Sequence, residues 1–112
     1  MRIAIPVVQE RVAENFEDFN QFALIDILNQ EVKQRQFVVP PPMEPWMFVH
    51  WCQEHDVNVI IAGNIKEKIV SFFEKAGIKV IIGAPLLSPE KVVQKYLSDT
   101  LFRGQVTTQV HG

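Results

Sequence analysis

Pro40-Pro41-Pro42-Met43-Glu44-Pro45 divides this chain into two kinds of pattern. Each proline fixes φ and removes a backbone donor, so this stretch fits neither a helix interior nor a central strand. It reads as a semi-rigid, polyproline-like connection. Upstream, the apolar residues fall in strand-like runs with no helical period. Downstream, short β-rich runs alternate with amphipathic helical stretches. The chain is therefore a meander joined to βα units.

Working upstream, Val32 to Val39 reads as a third strand, polar early and apolar late, with an edge position suggested by Lys33, Gln34, Arg35 and Gln36. Asn29-Gln30 is a turn that pairs it with a second strand, Phe22-Ala23-Leu24-Ile25-Asp26-Ile27-Leu28. Residues 9–20 are polar and acidic apart from Phe16 and Phe19, and read as a long loop. Such a loop is either ligand-facing or a plain excursion pinned by its two phenylalanines. Ile3-Ala4-Ile5-Pro6-Val7-Val8 is a first strand expected to end near Pro6.

Working downstream, residues 45–55 form a first helix with Pro45 at its first position and Phe48, Trp51, Cys52 and His55 on one face. Val57-Asn58-Val59-Ile60-Ile61-Ala62 suits a buried parallel strand. Asn64 is placed to cap the next helix, with Glu67 completing a capping box. Ile65, Ile69, Phe72, Phe73 and Ala76 make its apolar stripe, and Gly77 ends it. Ile78-Lys79-Val80-Ile81-Ile82 is the last strand, and Ser88-Pro89-Glu90 starts a third helix. The expected fold is α/β: a five-stranded mixed sheet with three helices, in the order strand, strand, strand, helix, strand, helix, strand, helix. The domain is expected over residues 1–101, with a mobile tail at 102–112.

Composition excludes several function classes. A net charge of −2 leaves no electrostatic footprint for nucleic acid, and the scattered Lys and Arg residues make no membrane-surface patch. No segment approaches the roughly 20 apolar residues of a membrane span. The apolar run at residues 3–8 is too short for a signal-peptide core. Cys52 is the sole cysteine, which fits a reducing compartment, with the cytoplasm as the expected location.

Side chains that do chemistry are scarce. His50, Cys52 and His55 invite a metal reading, but on a helix His50 and Cys52 stand about 200° apart. Two ligands, Cys52 and His55, are too few for structural zinc, so a core cysteine beside a helix-end histidine is the plainer reading. Glu14, Glu17 and Asp18 lack calcium-loop spacing and read as a solvated loop. Gly63-Asn64 is either an anion seat at a helix start or a tight turn with a cap. No nucleophile elbow or Cys–His pairing is visible, and the first strand carries no carboxylate for a two-metal nuclease. No enzymatic role is expected.

The chain also resembles a known family. Met1-Arg2-Ile3-Ala4-Ile5-Pro6-Val7, Gln21-Phe22-Ala23-Leu24-Ile25-Asp26, the triple proline with Met43-Glu44-Pro45, and His55-Asp56-Val57-Asn58-Val59-Ile60-Ile61-Ala62-Gly63 carry the resemblance. So do Ala76-Gly77-Ile78-Lys79-Val80 with Gly83-Ala84-Pro85, and Tyr96-Leu97-Ser98-Asp99-Thr100-Leu101. In this order they resemble the dinitrogenase iron–molybdenum cofactor family, the cluster carriers and accessory proteins of nitrogenase cofactor assembly. The resemblance implies a ribonuclease-H-like fold and non-catalytic handling of an anionic iron–molybdenum or iron–sulfur cluster.

It also shows departures. Asn15 stands where the family usually has histidine, Met43 where a histidine often follows the triple proline, and Asn64 where a second glycine follows the fourth strand. The Cys-and-His ending of the closest subgroup is reduced to His111. The rim at Asn15, Met43, Gly63 and Asn64, with His111 as a metal ligand, is the cluster site the resemblance implies, though Asn is a poor donor to soft iron. The alternative is a ligand-depleted paralogue that docks on a protein partner through the Trp46, Phe48 and Trp51 region.

Overall fold

A computed structural model describes residues 1–98; the expected tail, with His111, lies outside them. Strands β1 (Arg2–Val8), β2 (Arg11–Val12), β3 (Gln21–Leu28), β4 (Glu31–Val38), β5 (Val59–Ile61) and β6 (Lys79–Ile81) are joined by helices α1 (Phe48–Glu54), α2 (Glu67–Lys75) and α3 (Pro89–Leu97). The sheet runs β4-β3-β1-β5-β6, antiparallel on the β3–β4 side and parallel on the β5–β6 side, with β2 paired to β1. It has six strands, one more than expected.

The extra strand lies inside the stretch read as a loop. Gln9 and Glu10 both take positive φ, at 52° and 65°, and turn the chain so that Val7 pairs with Val12 and Val8 with Arg11. Asn29 and Gln30 do the same between β3 and β4, at 54° and 67°, the geometry of a type I′ hairpin turn. β1 does not end at Pro6. The Pro6 carbonyl accepts from the Ala13 N–H at 2.9 Å, so its backbone points away from β3. The missing N–H therefore removes no bond from the β1–β3 ladder.

Alternation along the strands builds two cores. Ala4, Phe22, Leu24, Ile60 and Val80 pack under α1 and α2. Ile3, Ile5, Ala23, Ile25 and Ile61 pack under α3 through Val92 and Val93. The α3 start is as expected, with Ser88 Oγ accepting from the Lys91 N–H at 3.4 Å. Gly77 ends α2 at φ 83°. α2 itself begins at Glu67, without a side-chain cap, so the Asn64 capping box does not form. The first helix starts as a single 3-10 turn, Pro45–Met47, before α1. Among the described residues no helix is long and apolar enough to cross a membrane.

Candidate functional site

The carboxyl ends of parallel strands are where open α/β sheets usually seat ligands. Here that rim is stitched shut by backbone. The Asn64 N–H donates to the Glu14 carbonyl and the Phe16 N–H to the Asn64 carbonyl, both at 2.7 Å. The Gly83 N–H donates to the Gly63 carbonyl at 2.9 Å and the Ala84 N–H to the Ala62 carbonyl at 3.0 Å. The Asn64 side-chain amide reaches the Asn15 side-chain oxygen at 3.4 Å, and Asn15 in turn donates to Asp18 at 3.3 Å. Asn64 is thus committed to Asn15, and its N–H is spent on Glu14, so of the two readings of Gly63-Asn64 the geometry is that of a tight turn. A Cβ on Gly63 would stand 2.5 Å from the Glu14 carbonyl oxygen, which makes this a close-packing glycine.

Phe16 locks the closure from below. Its ring is 2% exposed and lies 5.7–6.1 Å, centroid to centroid, from Phe19, Phe22, Phe48 and Phe73. The excursion over residues 9–20 is therefore a surface segment anchored to the core through Val12, Ala13 and Phe16. Of its acidic residues, Glu17 pairs with Lys66 at 3.2 Å.

Beside the closed rim, the excursion and the triproline corner face each other across a cleft of about 360 Å³. Phe16, Glu17 and Asn20 line one side, Pro40 and Met43 the other. A second groove of about 340 Å³ lies beyond Pro41 and Met43, which line both; Trp46, Met47, His50, Trp51 and Glu54 complete it. Of the residues expected to meet a cluster, Asn15, Gly63 and Asn64 meet one another at the rim and Met43 lines the cleft. The docking residues divide: Trp46 is 57% exposed, whereas Phe48 and Trp51 are buried. A 3-10 turn holds about 3.0 residues per turn rather than 3.6, so the helical phase read from the sequence does not extend back to Trp46.

The donor set does not fit a ligated iron cluster. Among the described residues Met43 offers the cleft's one soft donor, a thioether. Cys52 is fully buried, and that burial pushes its thiol up to about 12, leaving little thiolate. His55 stacks on the Trp51 indole at 4.0 Å, with Nδ1 2.8 Å from the Trp51 carbonyl. His50 is exposed, 3.4 Å from Glu54. Among the described residues no three His, Cys, Asp or Glu side chains converge to hold a metal ion.

The sequence reading missed a knot at the opposite end of the sheet. Arg2 donates to the Asp26 carboxylate at 2.7 and 3.2 Å and to the His55 carbonyl at 2.7 Å, tying β1, β3 and the end of α1 together. Its only sequence signal is an arginine opening one strand and an aspartate late in another.

No curated protein matches the chain. Solved structures do. The crystal structure of PH0822 is 23% identical, covering 90% of this chain and 92% of that one, with a TM-score of 0.84. MJ0327 of Methanocaldococcus jannaschii is 24% identical over 90% and 91%, at 0.75. The apo orange protein of Desulfovibrio gigas is 19% identical over 89% of each chain, at 0.72. At these identities the likeness speaks for the fold alone. The family model described as dinitrogenase iron-molybdenum cofactor matches residues 1–99, and the chain belongs to that family.

Proposed function

We propose that this chain is a non-catalytic binding protein in the handling of iron–molybdenum or iron–sulfur clusters, and that it works by docking on a protein partner. Residues 1–98 do not ligate the cluster in this proposal. The observation behind it is the donor set of the cleft: one thioether, Met43, and one carboxylate, Glu17, already engaged by Lys66. Iron–sulfur clusters are held by several thiolates or imidazoles. The family match supports the link to cluster handling. The finer fold expectation, a ribonuclease-H-like topology, is supported by a central β1 with an antiparallel hairpin on one side and parallel strands on the other. A cytoplasmic setting goes with the proposal and is supported by the lone buried thiol.

Direct carriage of a cluster is the second reading. The cleft's volume of about 360 Å³ favours it, since small-molecule sites occupy roughly 300–1,000 Å³. Met43 and His111, with Asn15, Gly63 and Asn64, are the residues it would use. One experiment separates the two. The full chain is incubated without oxygen with a synthetic iron–sulfur cluster and with iron–molybdenum cofactor, passed over gel filtration, and analysed for iron. Docking expects the iron to leave the chain; iron eluting with the chain at cluster stoichiometry would favour carriage.

A further inference from the structure

We infer that the groove at Trp46 receives a basic segment of a partner protein, a large apolar side chain flanked by Lys or Arg; this rests on the docking reading above. Trp46 and Met47 stand side by side on the 3-10 turn, 57% and 39% exposed, above a groove that also includes the buried Trp51. Exposed Trp and Met joined to an apolar groove are the composition of an interface centre, where charged residues are depleted and aromatic anchors enriched.

The rim states the partner's charge. Glu54 lines the groove, and Glu44 stands exposed between Met43 and the turn. In the adjoining cleft Glu17 is balanced by Lys66, and Asp18 beside it is exposed. Among the described residues no Lys or Arg lines either groove, which leaves Glu44, Glu54 and Asp18 as the acidic side chains of this corner. His50 also lines the groove, 3.4 Å from Glu54, and offsets it only when protonated. Opposed potentials steer encounter and like charges penalise it. A basic segment is thereby selected. An anionic cluster is repelled, and a second copy of the chain would bring the same acidic rim against itself.

The test titrates the full chain, by tryptophan fluorescence, with a short amphipathic leucine–lysine peptide and its leucine–glutamate counterpart. The lysine peptide should shift the emission and bind at least about tenfold more tightly than the glutamate peptide. Trp46→Ala should weaken it by about tenfold or more, as loss of an interface anchor does. The double substitution Glu44→Gln with Glu54→Gln should weaken it roughly fivefold and flatten its salt dependence. These side chains are exposed, so the variants keep the fold, and far-UV circular dichroism checks it. Equal affinity for the two peptides, or binding indifferent to Trp46→Ala, would overturn the inference. So would a dimer in sedimentation that buries Trp46. Iron retention on the same preparation separates the two levels. Retained iron ends the docking reading itself, whereas iron-free chains that fail to distinguish the peptides end only the assignment of a basic segment.

Discussion

Replacing Gly63 by alanine asks whether this glycine serves packing or a ligand. The added Cβ would lie 2.5 Å from the Glu14 carbonyl oxygen and 2.8 Å from that of Ala13, where ordinary contact begins at 3.4 Å. Both neighbours are backbone, so residues 13–14 must recede by about 0.9 Å. Overpacking of this kind costs about 1–3 kcal/mol. The recession also stretches the two 2.7 Å bonds that tie Asn64 to Glu14 and Phe16, each contributing about 0.5–1.5 kcal/mol. Gly63 does not occupy the left-handed region, so alanine otherwise gains about 0.4–1 kcal/mol through the unfolded chain. The net expectation is a loss of about 2–3 kcal/mol, a large share of a total near 5–15 kcal/mol. Urea denaturation followed by tryptophan fluorescence measures it, and the melting temperature should fall by roughly 10 °C. The opposing terms have different signs, which makes the result decisive. A variant as stable as the parent, or more so, would refute the close-packing role.

Phe16→Ala should cost about 3–5 kcal/mol, as large aromatic truncations in cores do, and should speed hydrogen exchange at the Asn64 N–H by releasing the excursion. The Asp26 carboxyl is held below the usual carboxylate range chiefly by hydrogen bonds from Arg2, with burial opposing and the Arg2 charge adding. Its folded value is lower than its unfolded one, so its contribution is complete above the ordinary carboxylate range and drains as pH falls through the folded value. Asp26→Asn should flatten that acid limb of stability, read by urea titrations between neutral pH and about pH 2. The Cys52 thiol should resist a maleimide reagent in the folded chain and react only as fast as the chain unfolds, because it is buried and pushed up to about 12.

Much of this fold was legible because its signals are local. Asn29-Gln30 sits between two β-rich runs and turns them. Ser88-Pro89 starts a helix where cap and proline coincide, and Gly77 takes the left-handed turn that favours glycine. The parallel strands show as apolar runs because both faces are covered. What escaped depends on partners distant in sequence. Gln9-Glu10 adopts a turn that normally asks for Asn or Gly, so β2 left no mark. Asn64 has every local feature of a cap, yet Asn15, 49 residues away, claims it. Phe16 looks stranded in a polar stretch until four other rings surround it. At the triproline corner the residues read as a docking group divide: Phe48 and Trp51 turn into the core, and Trp46 and Met47 are left outside. Among the described residues, Met43 alone of the expected cluster residues lines the cleft.

Native mass spectrometry of the full chain, mixed with iron–molybdenum cofactor under strict exclusion of oxygen, puts docking and carriage in direct opposition. The bare chain should dominate every charge state, with no adduct of cofactor mass surviving gentle desolvation. A single adduct per chain, lost on Met43→Ala, would mean that the cleft ligates the cluster after all.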